Sequence, residues 1–198
     1  MEGLDKEVEE LFRESIEKLE KLGANVKEID IPELSLSAFS DYVMMASELT
    51  TYNDELVKSS LEGFQDDVRT FLALGKSLDA TQYLKAQQSR RELTVAFKIA
   101  FEEVDLLLGP TVPITTPAYK DDWAMQNLEL TKHNMRFTAP ANLAGIPALS
   151  VPMGLDSNVL PAGMQFLGKH LSEKQLLKAA KAWATTEPIN YSAENVDV

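Results

Sequence analysis

Cysteine is absent from this 198-residue chain. That excludes disulfides, thiolate metal sites and cysteine nucleophiles together, and it suits a cytoplasmic setting. Histidine is scarce. The two present, His133 and His170, stand in no H-E-x-x-H or other ligand spacing, so a zinc site is not expected and no metal or other cofactor is implied. No apolar run approaches the roughly 18 residues of a membrane span. The opening MEGLDKEVEELF is too charged to hold the apolar core of a signal peptide. Dinucleotide binding has no support, because no G-x-G-x-x-G occurs. Gly75-Lys76-Ser77 looks like the close of a phosphate loop, but the glycine that such a loop needs at position 70 is Thr70. The expected reading there is a helix end carrying a solvated lysine. No serine lies in a G-x-S-x-G elbow. Basic residues are outnumbered, 19 Lys and Arg against 31 Asp and Glu, for a net charge of −12. Such a surface repels phosphate backbones and anionic lipid, so neither nucleic acid nor membrane is an expected partner.

What is present is ordinary for a globular protein, with 44% hydrophobic and 25% charged residues. The length admits one large domain or two small ones. Leu4, Val8, Leu11, Phe12, Ile16, Leu19 and Leu22 repeat at the three-and-four spacing of one helical stripe, and Gly23 suits a left-handed C-terminal cap. Val26, Ile29 and Ile31 predict a short strand stopped by Pro32, giving a helix–strand unit and an α/β fold class. Leu36–Leu74 predicts two or three helices. Asp79–Glu103 predicts the clearest helix, with Asp79 and Gln82 as a capping box and Leu84, Leu93, Ala96, Phe97, Ala100 and Phe101 as its apolar contacts. Val104–Leu108 reads as a buried strand ending at Gly109-Pro110. Pro110, Pro113 and Pro117 mark a rigid loop, and Asn142–Ala144 a helical turn. Ala148–Val151, closed by Pro152 and Gly154, pairs with Gly163–Leu167 across the turn residues Asp156–Pro161. Ser172–Trp183 is the last predicted helix, with Ser172 and Gln175 as a second capping signature. The tail beyond Thr185 is polar.

Residue chemistry alone supplies no active site. The carboxylate runs Glu7-Glu9-Glu10 and Asp66-Asp67 read as solvated faces, since paired carboxylates do acid–base work only when burial or crowding separates their pKa values. Arg90-Arg91 reads as helix surface.

Two blocks carry more. ANLAGIPALSVP (Ala141–Pro152) and LPAGMQFLG (Leu160–Gly168), preceded by VDLLLGPTVP (Val104–Pro113), resemble the C-terminal half of the amidase-signature hydrolases. These are serine amidases that include the A subunits of tRNA-dependent amidotransferases. LGANVKEIDIPEL and the run Tyr83-Leu84-Lys85-Ala86-Gln87 with Arg90 extend the resemblance over Val8–Trp183. It implies the C-terminal part of a layered α/β/α fold with a mixed sheet flanked by helices. Residues 1–185 would be an incomplete amidase domain and 186–198 a polar tail.

In that family a serine attacks the amide carbon while a second serine, held by a cis peptide, and a lysine relay the proton. Amides of a Gly/Ser-rich loop hold the oxyanion. No serine here matches that motif, so no catalytic residue carries over, and the chain alone is expected to be inactive. The resemblance makes Gly109–Pro113, with Thr111, and Asn134–Phe137, with Asn134, Met135 and Phe137, one wall of the substrate cleft, and it brings in Arg69. Met135 stands where the amidotransferase proteins hold an aspartate for the amino group of glutamine. This departure points to an apolar amide pocket. A small amide is thus a substrate only of an intact enzyme. A homodimer, or a separately encoded N-terminal half, is the expected partner of a non-catalytic alternative. A fragment of an amidotransferase of this family is the other.

Overall fold

The computed structural model describes residues 3–120 and 123–186. The first helix, α1 (Lys6–Lys21), follows the sequence stripe: Val8 and Phe12 are buried while its glutamates and lysines face outward. Each such burial contributes about 1.5–3 kcal/mol. Asp5 caps the first turn by accepting the Glu7 N–H at 3.0 Å. At the other end Gly23 adopts φ +94°, and its N–H bonds to Glu20 O while the Ala24 N–H reaches back to Leu19 O. This pair of bonds satisfies carbonyls that the helix end would otherwise orphan.

The predicted strand over Val26–Ile31 does not form. These residues carry no ladder bonds, and Pro32 opens a 3-10 turn, Pro32–Leu36, instead of stopping a strand. Ile31 is buried and Ile29 packs beside it against the helical core, so this segment contributes side chains and no backbone pairing. β-branched residues favour a strand only where a neighbouring strand can receive them. The helix–strand unit read from this stretch is therefore corrected, although the α/β class stands.

Three helices fill the expected stretch: α2 (Ser37–Tyr52), α3 (Asp54–Ser60) and α4 (Asp66–Ser77). Gly75 is a close-approach residue inside α4. A Cβ there would lie 2.2 Å from Ala46 O and 2.1 Å from Thr50 Oγ1 of α2. Next comes α5 (Ala80–Glu103), whose capping box forms in both directions, Gln82 N–H to Asp79 at 2.8 Å and Asp79 N–H to Gln82 at 2.9 Å. Leu84, expected inside, is 67% exposed, and Ala86 is buried in its place.

The longest departure is α6 (Trp123–Ala144), of which the sequence pattern predicted only the last turn. Pro140 lies inside it. Proline lacks the N–H that would bond four residues back, so it argues locally against helix. Packing against α2 and α5 overrides that preference.

The sheet has three described strands, β1 (Leu106–Pro110), β2 (Ala148–Leu155) and β3 (Pro161–Gly168), with β3 in the middle. Both pairings are antiparallel. β1 and β2 thus run in the same direction on either side of β3. β1 is half-buried along Leu106–Gly109, less enclosed than a fully buried strand. β2 continues through Pro152 and Gly154, where the sequence pattern closes it, by taking a bulge between those two residues. Its outer edge is unpaired among the described strands, so a missing proline N–H breaks no ladder bond. Asp156 shapes the connecting turn by accepting the Asn158 and Leu160 N–H groups.

Period-two alternation divides the strands between two cores. Leu106, Leu108, Met164 and Phe166 face α1 and α7 (Glu173–Trp183), while Leu107 and Leu167 face the core built by α2, α5 and α6. The result is helices on both faces of a sheet. The capping box expected at α7 is absent. Ser172 has φ −103°, ψ 26°, so its carbonyl and not its hydroxyl meets the Gln175 N–H, at 2.8 Å. The Ser172 hydroxyl is buried without a partner among the described residues. The polar tail, 186–198, lies outside the described residues from position 187 onward. Among the described residues no helix is long and apolar enough to cross a membrane.

Candidate functional site

The end of β1 is where the expected wall residues meet. Thr111 follows Pro110 directly, and its N–H bonds to Gly163 O at 2.8 Å, prolonging the β1–β3 contact past the strand end. The Thr111 hydroxyl lies 2.7 Å from that of Ser150 in β2. The two oxygens close over Gly163, where a Cβ would lie 3.1 Å from each. All three strands therefore contribute to one polar spot.

Gln165 joins this spot to α6. It is 7% exposed and sits between Met164 and Phe166 on β3, yet points to the opposite face from them. Its side-chain amide donates to Pro110 O at 3.1 Å and to Phe137 O at 2.9 Å. A single buried side chain thus holds the start of the Thr111 loop against the middle of α6 and fixes the distance between the two expected wall segments. Neither Gln165 nor Ser150 stood out in the sequence. One signal was available, a glutamine inside an otherwise apolar strand, since buried polar side chains are retained where they meet hydrogen-bonding partners.

The other expected residues are placed as follows. Asn134 lies on α6 one turn before Thr138, whose hydroxyl bonds to its carbonyl at 3.3 Å. The Asn134 Oδ1 is buried with no hydrogen-bond partner among the described residues. Met135 is 6% exposed and enclosed by the protein as it stands. Phe137 is half-buried, with the Arg136 guanidinium 5.8 Å from its ring centroid. Arg69 sits on α4 and pairs with Asp66 of its own helix. The nearest bridge from that region to α6 is made by Asp67, which accepts from Asn127. The structure therefore brings Thr111 and Phe137 together and puts Asn134 and Met135 one turn along the same helix. Arg69 is engaged elsewhere, on an exposed surface.

Many other polar side chains are held by partners within the fold, although the Asp156 Oδ2 and the Ser172 hydroxyl are buried without one among the described residues. The hydroxyls of Ser15, Ser35, Ser37, Ser47, Ser59 and Ser77 each donate to a backbone carbonyl three or four residues earlier. Ser157 bonds to Glu7 through both its hydroxyl and its N–H, each at 2.8 Å, so Glu7 docks the β2–β3 turn on α1 and is no free solvated carboxylate. Arg90, expected on the helix surface, donates to Leu143 O at 2.8 Å. His170 is exposed and its ring lies 3.2 Å from Gly145 O. What this face can do chemically is position: it offers hydroxyl, amide and carbonyl groups at fixed distances.

The family model for amidases matches residues 1–177. The A subunit of glutamyl-tRNA(Gln) amidotransferase from Halothermothrix orenii is 34% identical over 88% of this chain and 41% of its own length. The same-named protein of Chromohalobacter salexigens is 36% identical over 90% and 41% respectively. Among solved structures, the same-named protein of Thermotoga maritima superposes with a TM-score of 0.69 at 30% identity, covering 94% of this chain and 40% of that one. Allophanate hydrolase of Kluyveromyces lactis reaches a TM-score of 0.82 over 94% of this chain and 31% of that one. Its 22% identity shows a shared fold only. The 198 residues thus span well under half of the relatives they match. By family model, by identity and by fold, the chain belongs to the amidase family of amidase-signature enzymes.

Proposed function

We propose that this chain is the part of an amidase that forms one wall of the amide-binding cleft, and that the bond-breaking groups act from other polypeptide. In the complete enzyme a serine, a second serine on a cis peptide and a lysine would cleave a small carboxylic amide, with loop amides holding the oxyanion. The observation that carries this reading is the Gln165 bridge, which locks the Thr111 loop to α6 at Phe137. It builds a rigid surface on which the Thr111 and Ser150 hydroxyls are bonded to each other. Six serine hydroxyls, those of Ser15, Ser35, Ser37, Ser47, Ser59 and Ser77, lend support to the second half of the reading, because their protons are already committed to backbone carbonyls. The wall in this reading is Thr111, Asn134, Met135 and Phe137, with Arg69 left outside it by its pairing with Asp66. No cofactor is required, and the cysteine-free composition supports a cytoplasmic setting.

The test is amide hydrolysis by the purified chain, followed as ammonia release and paired with a serine-directed fluorophosphonate label mapped by mass spectrometry. No turnover and no labelled serine is the expected result. A labelled serine in this chain together with turnover would falsify the proposal. Co-expression with an amidase segment that carries the Gly/Ser-rich loop and the lysine should restore activity. That same mixture tests whether the chain pairs with such a half or with a second copy of itself.

A second reading, part of a glutamyl-tRNA(Gln) amidotransferase, is favoured by the names of the relatives at 34–36% identity. Met135 weighs against it: a buried thioether offers no charge to a substrate amino group. Glutamine-dependent ammonia release by a reconstituted complex separates the two readings.

A further inference from the structure

A cavity of about 490 Å³ opens between α2 and α5, lined by Ser47, Glu48, Thr51, Tyr52 and Tyr83. None of these belongs to the Thr111–Ser150–Gln165 group. The lining donors are nearly all spent. The Ser47 hydroxyl donates to Val43 O at 2.8 Å and the Thr51 hydroxyl to Ser47 O at 2.8 Å. Tyr83 donates to Glu48 Oε1 at 3.1 Å, and Gln87 in turn donates to the Tyr83 oxygen at 2.9 Å. Most of the cavity wall is apolar, and its polar groups are mainly acceptors: the Ser47 and Thr51 oxygens and a Glu48 carboxylate oriented by a two-step relay from α5, with the Tyr52 hydroxyl beside them. Neither lysine nor arginine is among the lining residues.

Two tyrosine rings supply the apolar surface, and the Tyr52 ring is 91% exposed. The faces of such rings attract cations. Asp41, two helical turns before Glu48 on the same side of α2, has its carboxyl held above the usual aspartate range, first by burial and then by the Glu48 charge. The local field is negative from that direction as well. An acceptor or an anion meets a single unengaged donor among the described residues here, the Tyr52 O–H, whereas an amine nitrogen with several N–H groups matches the free lone pairs.

We propose that this cavity binds an organic ammonium ion, a primary amine whose N–H groups reach Glu48, Ser47 and Thr51 while its apolar part lies on Tyr52 and Tyr83. The reading does not depend on the amidase cleft, so it stands or falls separately from the proposed function.

The probe is benzylammonium chloride, titrated into the full chain while the tyrosine ring resonances are followed by NMR, with benzyl alcohol as the uncharged control of similar shape. The expected result is saturable shifts at Tyr52 and Tyr83, with a dissociation constant on the order of millimolar, and none with the alcohol. Glu48→Gln should weaken binding about tenfold by removing the charge from the strongest hydrogen bond. Tyr83→Phe, which keeps the ring and removes the hydroxyl that orients Glu48, should weaken it several-fold. Glu48 is exposed and phenylalanine keeps the half-buried Tyr83 ring, so both variants should keep the helical circular-dichroism signal. Absence of saturation with the ammonium ion, equal binding of the alcohol, or full affinity in a folded Glu48→Gln variant each overturns the proposal.

Discussion

Replacing Gln165 tests whether the bridge between β1 and α6 is as consequential as its geometry implies. Gln165→Leu keeps much of the side-chain volume and removes both donors. Two hydrogen bonds, at 3.1 and 2.9 Å, disappear. Each contributes about 0.5–1.5 kcal/mol net, and a buried acceptor left without its donor costs about 1–3 kcal/mol. Phe137 O keeps access to the N–H four residues on within α6, so only part of that second cost applies to it. A loss of about 2–4 kcal/mol follows, against a total stability of about 5–15 kcal/mol for a typical domain.

Gln165→Glu adds a sign that a packing defect cannot imitate. A carboxylate at this place faces two carbonyl oxygens in a buried setting, so its folded-state pKa must rise above the unfolded value. The folded protein then holds the proton to higher pH than the unfolded chain does. Stability relative to wild type is retained below the unfolded pKa and lost as pH rises through the folded one. Urea unfolding of the three proteins, monitored by circular dichroism at several pH values, measures this. Gln165→Leu within about 0.5 kcal/mol of wild type, or a Gln165→Glu deficit that does not grow with pH, would refute the reasoning.

Three further outcomes follow from close contacts. Gly75→Ala should destabilise the chain by about 1–3 kcal/mol, because the clash with the Ala46 carbonyl and Thr50 exceeds the roughly 1 kcal/mol gained in helix propensity; a higher unfolding midpoint would contradict it. Trp183→Phe removes the 2.8 Å bond from the indole N–H to Pro152 O that ties α7 to β2, and should cost about 1–3 kcal/mol in urea unfolding. Asp41 is raised by burial and then by Glu48, so its ionisation opposes folding as pH climbs past its ordinary value of 3.8. Asp41→Asn should therefore stabilise the protein at neutral pH and give no gain well below that value, as read from paired unfolding curves; a loss at neutral pH would count against it.

Legibility differed by element, and the reason was the range over which each is specified. The α1 stripe, the Gly23 cap and the Asp79–Gln82 box were visible because their partners lie within four or five residues along the chain. So was the β2–β3 hairpin, whose turn residues sit between two apolar runs. The strand expected at Val26–Ile31 failed because pairing requires a neighbour that local sequence does not specify. α6 was hidden by Pro140, whose local cost is overcome only by contacts with α2 and α5. Leu84 was misplaced because helical spacing does not say how wide the buried face of α5 is. In the candidate site Thr111 and Phe137 are picked out by family-like blocks, while Gln165 carries no local mark because the carbonyls it meets lie far along the chain.

The sequence by itself determined the family, the α/β class and the ends of the capped helices, all of which depend on neighbours close along the chain or on contiguous blocks. Only the tertiary structure decided that a glutamine on β3 would meet carbonyls 55 and 28 positions away, that Gly75 would let two helices touch, and that an open cavity carrying Glu48 and two tyrosine rings would form between α2 and α5. Those features arise where distant segments are pressed together, and their energies exist only once that packing has formed.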